Sequence, residues 1–292
     1  MTTLDDTLAA TAGASRAAIE FHYDVGTAFY RLWLGDELTY SCAMFEDGDD
    51  LEAAQGRKID FHARASGAIG AASVLDVGCG WGSTMRRLVE RHGVERVTGL
   101  TLSRDQAAYV ERQRLARVTV RLESWEQHEP AAPYDAIVSI GAFEHFARRD
   151  LPRAQKVATY RRFFARCRDW LRPGGALSLQ TIAYGTLRPE QISPFITGEV
   201  FPESDLPALG EIVEAADGLL EITRLRNDRM DYARTCREWA RRLAAQRDAA
   251  EALVGRARVE TYDRFLRMSA KGFASGGLVL LRITLRRIDG VA

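Results

Sequence analysis

Val74-Leu75-Asp76-Val77-Gly78-Cys79-Gly80-Trp81-Gly82 decides the fold. A short apolar run ends in an acidic residue and passes into a glycine-rich turn. Ser83-Thr84-Met85-Arg86-Arg87-Leu88-Val89 follows and reads as the start of a helix. Strand, glycine turn and helix N-terminus together open a nucleotide-binding βαβ unit. Glycines let the backbone approach a ligand where a Cβ would collide. The spacing is Asp-x-Gly-x-Gly-x-Gly, not the Gly-x-Gly-x-x-Gly of dinucleotide binders, and no Gly-Lys-Ser/Thr is present for a triphosphate. The tighter turn suits a cofactor without phosphates whose amino-acid end sits against the loop, which points to S-adenosylmethionine. The bland reading is a turn that only joins a strand to a helix.

Outward from this stretch the chain alternates. Strands are expected at Arg96 to Leu102, Val118 to Leu122, Asp135 to Ile140 and Ala176 to Ile182. A helix capped by Ser103 runs to about Arg114, and a second spans Arg153 to Leu171, stopped by Arg172-Pro173-Gly174-Gly175. Strands separated by helices imply a parallel sheet covered on both faces. Ser15 to Leu34 and Leu51 to Ala71 read as helices before the sheet. Leu206, Leu209, Ile212, Val213 and Ala216 form an apolar helical stripe, followed by a strand at Leu220 to Leu225. Tyr232 to Ala250 and Glu251 to Met268 read as two Arg-rich helices. Leu278 to Ile288 closes the sheet as an alternating strand, antiparallel at the edge.

The 292 residues suffice for one large domain. Acidic and basic residues balance at 40 each, so no global field draws nucleic acid. Lys58, Lys156 and Lys271 are the lysines; the other basic residues are arginines. Cys42, Cys79, Cys167 and Cys236 are widely spaced and read as reduced thiols of a cytoplasmic protein. No apolar run is long enough to span a bilayer, and residues 1–15 read as a loose tail without a signal pattern. The histidines show no metal-ligand spacing, so no metal is expected.

Ligands of an open parallel sheet bind beyond the C-terminal strand ends. Asp76, Gly78 and Gly80 stand at the first. Thr101 and Gln106 stand at the second, where ribose binders usually carry Asp or Glu. Trp125 and Glu126 lie beyond the third; a Trp can cover a purine face while a carboxylate accepts from its amino group. Packing alone would also account for Trp125. Strand four ends in Ile140-Gly141-Ala142-Phe143-Glu144-His145-Phe146, and strand five gives Gln180-Thr181-Ile182. His145 also reads as a core or capping histidine. A carboxylate at the mouth of a central strand, as at Glu144, is usually buried for a reason.

Tyr40-Ser41-Cys42-Ala43, Asp76-Val77-Gly78-Cys79-Gly80-Trp81-Gly82, Gly99-Leu100-Thr101-Leu102-Ser103, Trp125-Glu126-Gln127 and Ser139-Ile140-Gly141-Ala142-Phe143-Glu144-His145-Phe146 together resemble the cyclopropane-fatty-acid synthase family, including its mycolic acid cyclopropane synthases. The likeness runs from about Phe21 to Ile288. It implies the class I S-adenosylmethionine-dependent methyltransferase fold: a Rossmann-like, seven-stranded doubly wound α/β sheet with N-terminal helices and a helical cap. Residues 16–292 would be one methyltransferase domain, with a cap at 16–71 and lid insertions at 183–270.

The resemblance also implies site residues. The cofactor would touch Tyr40, Ser41, Asp76, Gly78, Gly80, Thr101, Gln106, Trp125, Glu126 and Ile140. A bicarbonate ion would sit by Cys42, Glu144, Tyr232 and the strand-five segment. Cyclopropane synthases usually carry His-Thr-Ile there; this chain has Gln180, which can donate to an anion but cannot relay a proton. Tyr23, Phe143 and His145 would line the substrate. A π-bond would take the sulfonium methyl and leave a carbocation; proton loss from the new methyl gives a cyclopropane, and loss elsewhere gives a methylated alkene. With Gln180 in place, C-methylation of a hydrophobic small molecule or acyl chain is the first reading. Cyclopropane synthesis on a fatty acyl chain, N-methylation of a small amine, and cofactor binding without transfer are the alternatives. A hydrophobic substrate is the expected partner, and a homo-oligomer is left open.

Overall fold

The computed structural model describes residues 13–15, 17–19, 25–201 and 203–289. Most of the expected N-terminal tail, and part of the expected helix from Ser15, lie outside these residues. Helices α1 (Thr27–Leu34) and α2 (Leu51–Ser66) precede the sheet. Then come β1 (Ser73–Val77), α3 (Ser83–Arg91), β2 (Arg96–Thr101), α4 (Arg104–Arg112), β3 (Val118–Leu122), β4 (Tyr134–Ile140), α5 (Arg153–Trp170) and β5 (Leu171–Tyr184). Helix α6 (Leu209–Ala216) and β6 (Leu220–Asn227) lead into α7 (Arg229–Ala245), α8 (Arg247–Val254) and α9 (Arg256–Ser275), and β7 (Leu278–Arg287) returns to the sheet.

The seven strands lie in the order β3-β2-β1-β4-β5-β7-β6. Neighbours from β3 through β5 are parallel, and β7 is antiparallel to both β5 and β6. This is the class I methyltransferase sheet. The final strand is antiparallel as expected but not at the edge. It runs between β5 and β6, with Leu280, Leu281, Ile283 and Leu285 buried. Its dense apolar content suits a strand covered on both faces. The true edge is β6, which is exposed over most of its length.

Other boundaries moved for local reasons. Strand β5 starts at Leu171, and the Pro-Gly-Gly stretch is absorbed by a register shift against β4. The Arg-rich region forms three helices rather than two, because Gly255 turns the chain at φ 79° between α8 and α9. In α6, Ile212, Ala215 and Ala216 are buried, but Leu209 and Val213 are exposed.

Three apolar clusters hold the fold. One lies between the sheet and α5 and α6, around Phe143, Tyr160, Phe163, Phe164 and Leu177. A second packs α2, α3 and α4 on the other face, around Met85, Leu88, Val97 and Val110. The third joins α1, α7, α8 and α9 through Phe29, Tyr30, Trp33, Trp239 and Tyr262. Trp81 of the glycine loop belongs to this third cluster: its ring lies 4.9 Å from Tyr30, and its Nε1 donates to Thr27 Oγ1 at 3.2 Å. The cap is thereby fastened to the loop that follows β1. Among the described residues no helix is long and apolar enough to cross a membrane.

Candidate active site

The glycine turn is built from backbone. Gly78 and Cys79 both donate to Leu100 O of β2, at 3.0 and 2.9 Å. Gly78 holds φ +82°, a left-handed value that disfavours side chains. A Cβ there would lie 2.3 Å from the Cβ of Ala142, just past β4. The two strand ends close on each other only because residue 78 lacks a side chain. At β2, Ser103 caps α4 by accepting from Gln106 N at 3.2 Å, and Thr101 Oγ1 bonds Gln106 Oε1 at 2.7 Å.

These strand ends open into one cleft. Tyr40, Ser41, Asp76, Gly78, Gly80, Thr101, Gln106, Trp125, Glu126 and Ile140 all line it. Trp125 stands edge-on to Phe163, at 5.4 Å and 77°. Asp76 is 2% exposed, and its Oδ2 has no hydrogen-bond partner among the described residues. Burial pushes its carboxyl up to about 7, against the pull of Lys58. A buried carboxylate oxygen without a donor, beside a wall that only glycine allows, fits the ammonium end of S-adenosylmethionine.

A second cleft adjoins the first and shares Tyr40, Gly141 and His145 with it. Its walls are largely apolar: Ile182, Leu187, Ile196, Phe265, Met268 and Phe273, with Tyr232 and Trp239. Tyr232 stacks on Phe273 at 4.4 Å. Asp205, at the margin, is satisfied by an ion pair with Lys156 and by Tyr184, whose hydroxyl donates at 2.6 Å. His145 Nδ1 lies 2.7 Å from Ser204 Oγ, and burial lowers the imidazole to about 4, so the ring is neutral at pH 7.

Glu144 lines the second cleft in a single 3-10 turn, Phe143–His145. Its Oε1 accepts from Ile182 N at 2.6 Å, and its Oε2 has no partner among the described residues. Burial raises its carboxyl to about 7, with the Ile182 N–H pulling the other way.

Three expected residues stand elsewhere. Phe143 lines neither cleft; the 3-10 turn sends it into the core, where it stacks on Tyr160 at 4.5 Å. Cys42 also lines neither. Its thiol donates to Ala43 O at 3.0 Å, and burial holds it neutral, pushed up to about 12. Gln180 is 1% exposed and faces away from both clefts. Its Oε1 accepts from Arg282 Nε at 2.9 Å and lies 3.3 Å from His62 Nε2. Tyr23 lies outside the described residues. For bicarbonate, then, only the Glu144 and Tyr232 side chains of the expected set reach the cleft, and the nearby Ile182 N–H is already taken by Glu144. The residues do not fit that ion.

Sequence reasoning missed Lys58, His62 and Arg282. Lys58 is buried, lines the first cleft and donates to Ser41 Oγ at 2.9 Å. Arg282, fully buried on β7, forms an ion pair with Asp228 and donates to Ala43 O at 2.9 Å. It therefore ties the 42–43 segment to the start of α7, which carries Tyr232. His62 bonds Ser178 Oγ at 2.8 Å. The rarity of lysine was the one visible signal.

The family described as mycolic acid cyclopropane synthetase matches residues 11–283. Cyclopropane mycolic acid synthase 3 of Mycobacterium tuberculosis is 34% identical over 288 residues, which is 92% of this chain and 96% of that protein. Cyclopropane mycolic acid synthase 2 of Mycobacterium leprae is 36% identical, covering 85% of this chain and 86% of its own length. Among solved structures, mycolic acid cyclopropane synthase CmaA1 complexed with SAH and CTAB superposes with a TM-score of 0.83 at 35% identity, covering 93% of this chain and 98% of that one. Coclaurine N-methyltransferase bound to N-methylheliamine and SAH gives 0.72 at 25% identity, over 89% and 81%. Sheet order, glycine loop and these relatives agree on an enzyme that uses S-adenosylmethionine, and the chain belongs to the mycolic acid cyclopropane synthetase family of methyltransferases.

Proposed function

We propose that this enzyme adds the methyl carbon of S-adenosylmethionine across a double bond of a lipid acyl chain and closes it to a cyclopropane. The observation that carries the reading is Glu144, a carboxylate with one open oxygen in an apolar cleft that adjoins the cofactor cleft. Sequence alone put C-methylation first and cyclopropane formation second. The names of the relatives favour the second, so it takes first place here.

When bound, the cofactor would supply an electrophilic methyl group: the π-pair of the alkene bonds it at one carbon, the neighbouring carbon is left cationic, and the C–S pair leaves with S-adenosylhomocysteine. The chain's own residues do four things. Asp76 and the glycine loop hold the amino-acid end of the cofactor, Thr101 and Gln106 its sugar, and Trp125 with Glu126 its base. The apolar walls align the acyl chain and keep water from the cation. Tyr232, Trp239 and Phe273 offer π-faces to positive charge. Glu144 then takes a proton on Oε2 while Ile182 N–H steadies Oε1. A carboxyl raised to about 7 is a stronger base than an ordinary carboxylate yet still ionises near neutral pH. No step passes through bicarbonate.

The test is product analysis with methyl-deuterated cofactor and lipids that carry a cis double bond. A cyclopropane loses one deuterium from the transferred methyl. A methyl-branched product that keeps every deuterium returns C-methylation to first place. Transfer to an amine, with lipids untouched, overturns the acyl reading.

A further inference from the structure

Lys58 sits where a lysine is costly. It is 1% exposed on α2, and burial, with Arg282 nearby, lowers its ammonium to about 7. Among the described residues its hydrogen-bond partner is Ser41 Oγ, at 2.9 Å. As an ammonium Lys58 donates and cannot accept, so in that form Ser41 takes this bond on an oxygen lone pair. The Ser41 O–H is then left to donate elsewhere, and Ser41 lines the cofactor cleft. Gln55, a turn before Lys58, fixes the same stretch by donating to Ser41 O at 2.9 Å and Thr39 O at 3.2 Å. Asp76, with its open Oδ2, lines the same cleft and feels the charge of Lys58. One buried cation and one buried carboxylate thus line the same cleft without forming an ion pair with each other.

We infer that Lys58 and Ser41 form the receptor for the carboxylate of the cofactor's amino-acid end, while Asp76 in the same cleft takes the ammonium. The two sites of opposite charge match a zwitterion and do not match the adenosine half, which has no charge. The inference rests on S-adenosylmethionine being the cofactor. It accounts for a buried lysine that proton removal does not use. It also accounts for why α2, and not only the glycine loop, reaches the cleft.

The experiment is calorimetric titration of the purified enzyme with two probes. S-adenosylhomocysteine carries the amino-acid end, and 5′-methylthioadenosine lacks it. Lys58→Met should weaken S-adenosylhomocysteine by roughly ten- to a hundred-fold, the scale of a hydrogen bond to a charged group. Binding of 5′-methylthioadenosine should stay within about twofold. Ser41→Ala, which keeps the helix intact, should weaken S-adenosylhomocysteine by about five-fold or more and again spare 5′-methylthioadenosine. Equal loss for both probes would make Lys58 a prop for the cleft and overturn the proposal. So would unchanged S-adenosylhomocysteine affinity in either variant. If Lys58→Met does not fold, Ser41→Ala decides alone. If neither probe binds the unaltered enzyme, it is the cofactor assignment that fails.

Discussion

The two clefts share three residues and almost nothing else. The cofactor cleft is made by strand ends and tight turns, and glycines and buried polar groups such as Asp76 and Thr101 stand among its apolar lining. Its geometry is set by where glycine is required. The second cleft is made by large apolar side chains from segments far apart in the chain, from Ile182 through Tyr232 to Leu278. Its geometry is set by packing. The first can be read from a motif because the motif itself lines it. The second can be read only when the sheet order and the cap are known. A family can therefore keep its cofactor while its acceptor changes.

The sharpest break comes at Gly78. Gly78→Val puts a β-branched residue at φ +82°, and its Cβ would lie 2.3 Å from that of Ala142. The backbone strain alone is about 1–3 kcal/mol. Calorimetry should detect no S-adenosylhomocysteine binding, and turnover should vanish with it. Binding at wild-type strength would remove the glycine loop from the cofactor cleft.

Glu144→Gln tests the other side. Turnover at saturating cofactor should fall about a hundred-fold or more, the usual loss of a general base, while S-adenosylhomocysteine binds as before. The wild-type pH profile should carry the same signature. Glu144 must be ionised to take a proton, and its carboxyl is raised to about 7. The rate should therefore fall roughly tenfold per pH unit below about 7. Saturating cofactor keeps Asp76 and Lys58, which also titrate near there, from dominating the profile. Unchanged turnover in the variant would reduce Glu144 to a tie for Ile182 N.

The smallest effect is expected at Phe143. Phe143→Leu should lower stability by on the order of 1 kcal/mol, seen as a shift in melting temperature, and leave KM for the acyl substrate unchanged. A raised KM would put Phe143 back in the second cleft.

The same contrast explains what the sequence disclosed. All ten residues expected at the cofactor line one cleft; eight stand at or just beyond strand ends whose position the alternation of elements fixes, while Tyr40 and Ser41 come from the segment between α1 and α2. Phe143 was misplaced because one residue of a 3-10 turn reverses direction, and Glu144 beside it points the opposite way. Gln180 was misread for a less local reason. It lies directly across from Arg282 in the β5–β7 register, and that pairing is invisible while β7 is taken for an edge strand. His62 reaches Ser178 and Gln180 from a helix on the same face, which no spacing in the chain announces. The break at Gly255, by contrast, was there to be read, since glycine commonly ends a helix.

Strand β7 bears on how this enzyme comes into being. It is the last strand in sequence and lies inside the sheet. Until it inserts, β5 and β6 each present an unpaired edge, and such edges invite aggregation. Arg282 arrives with it and reaches back 240 residues to Cys42 O and, beside it, Ala43 O. Contacts of that separation slow folding. They also give assembly an order. The glycine turn can form early from neighbouring residues, and α2 holds Thr39 and Ser41, but the 42–43 segment and the base of α7 are tied together through Arg282 only when the sheet is whole. A partly folded chain would have the glycine turn but not the finished wall of the second cleft beside it, so methyl transfer waits on the closing strand.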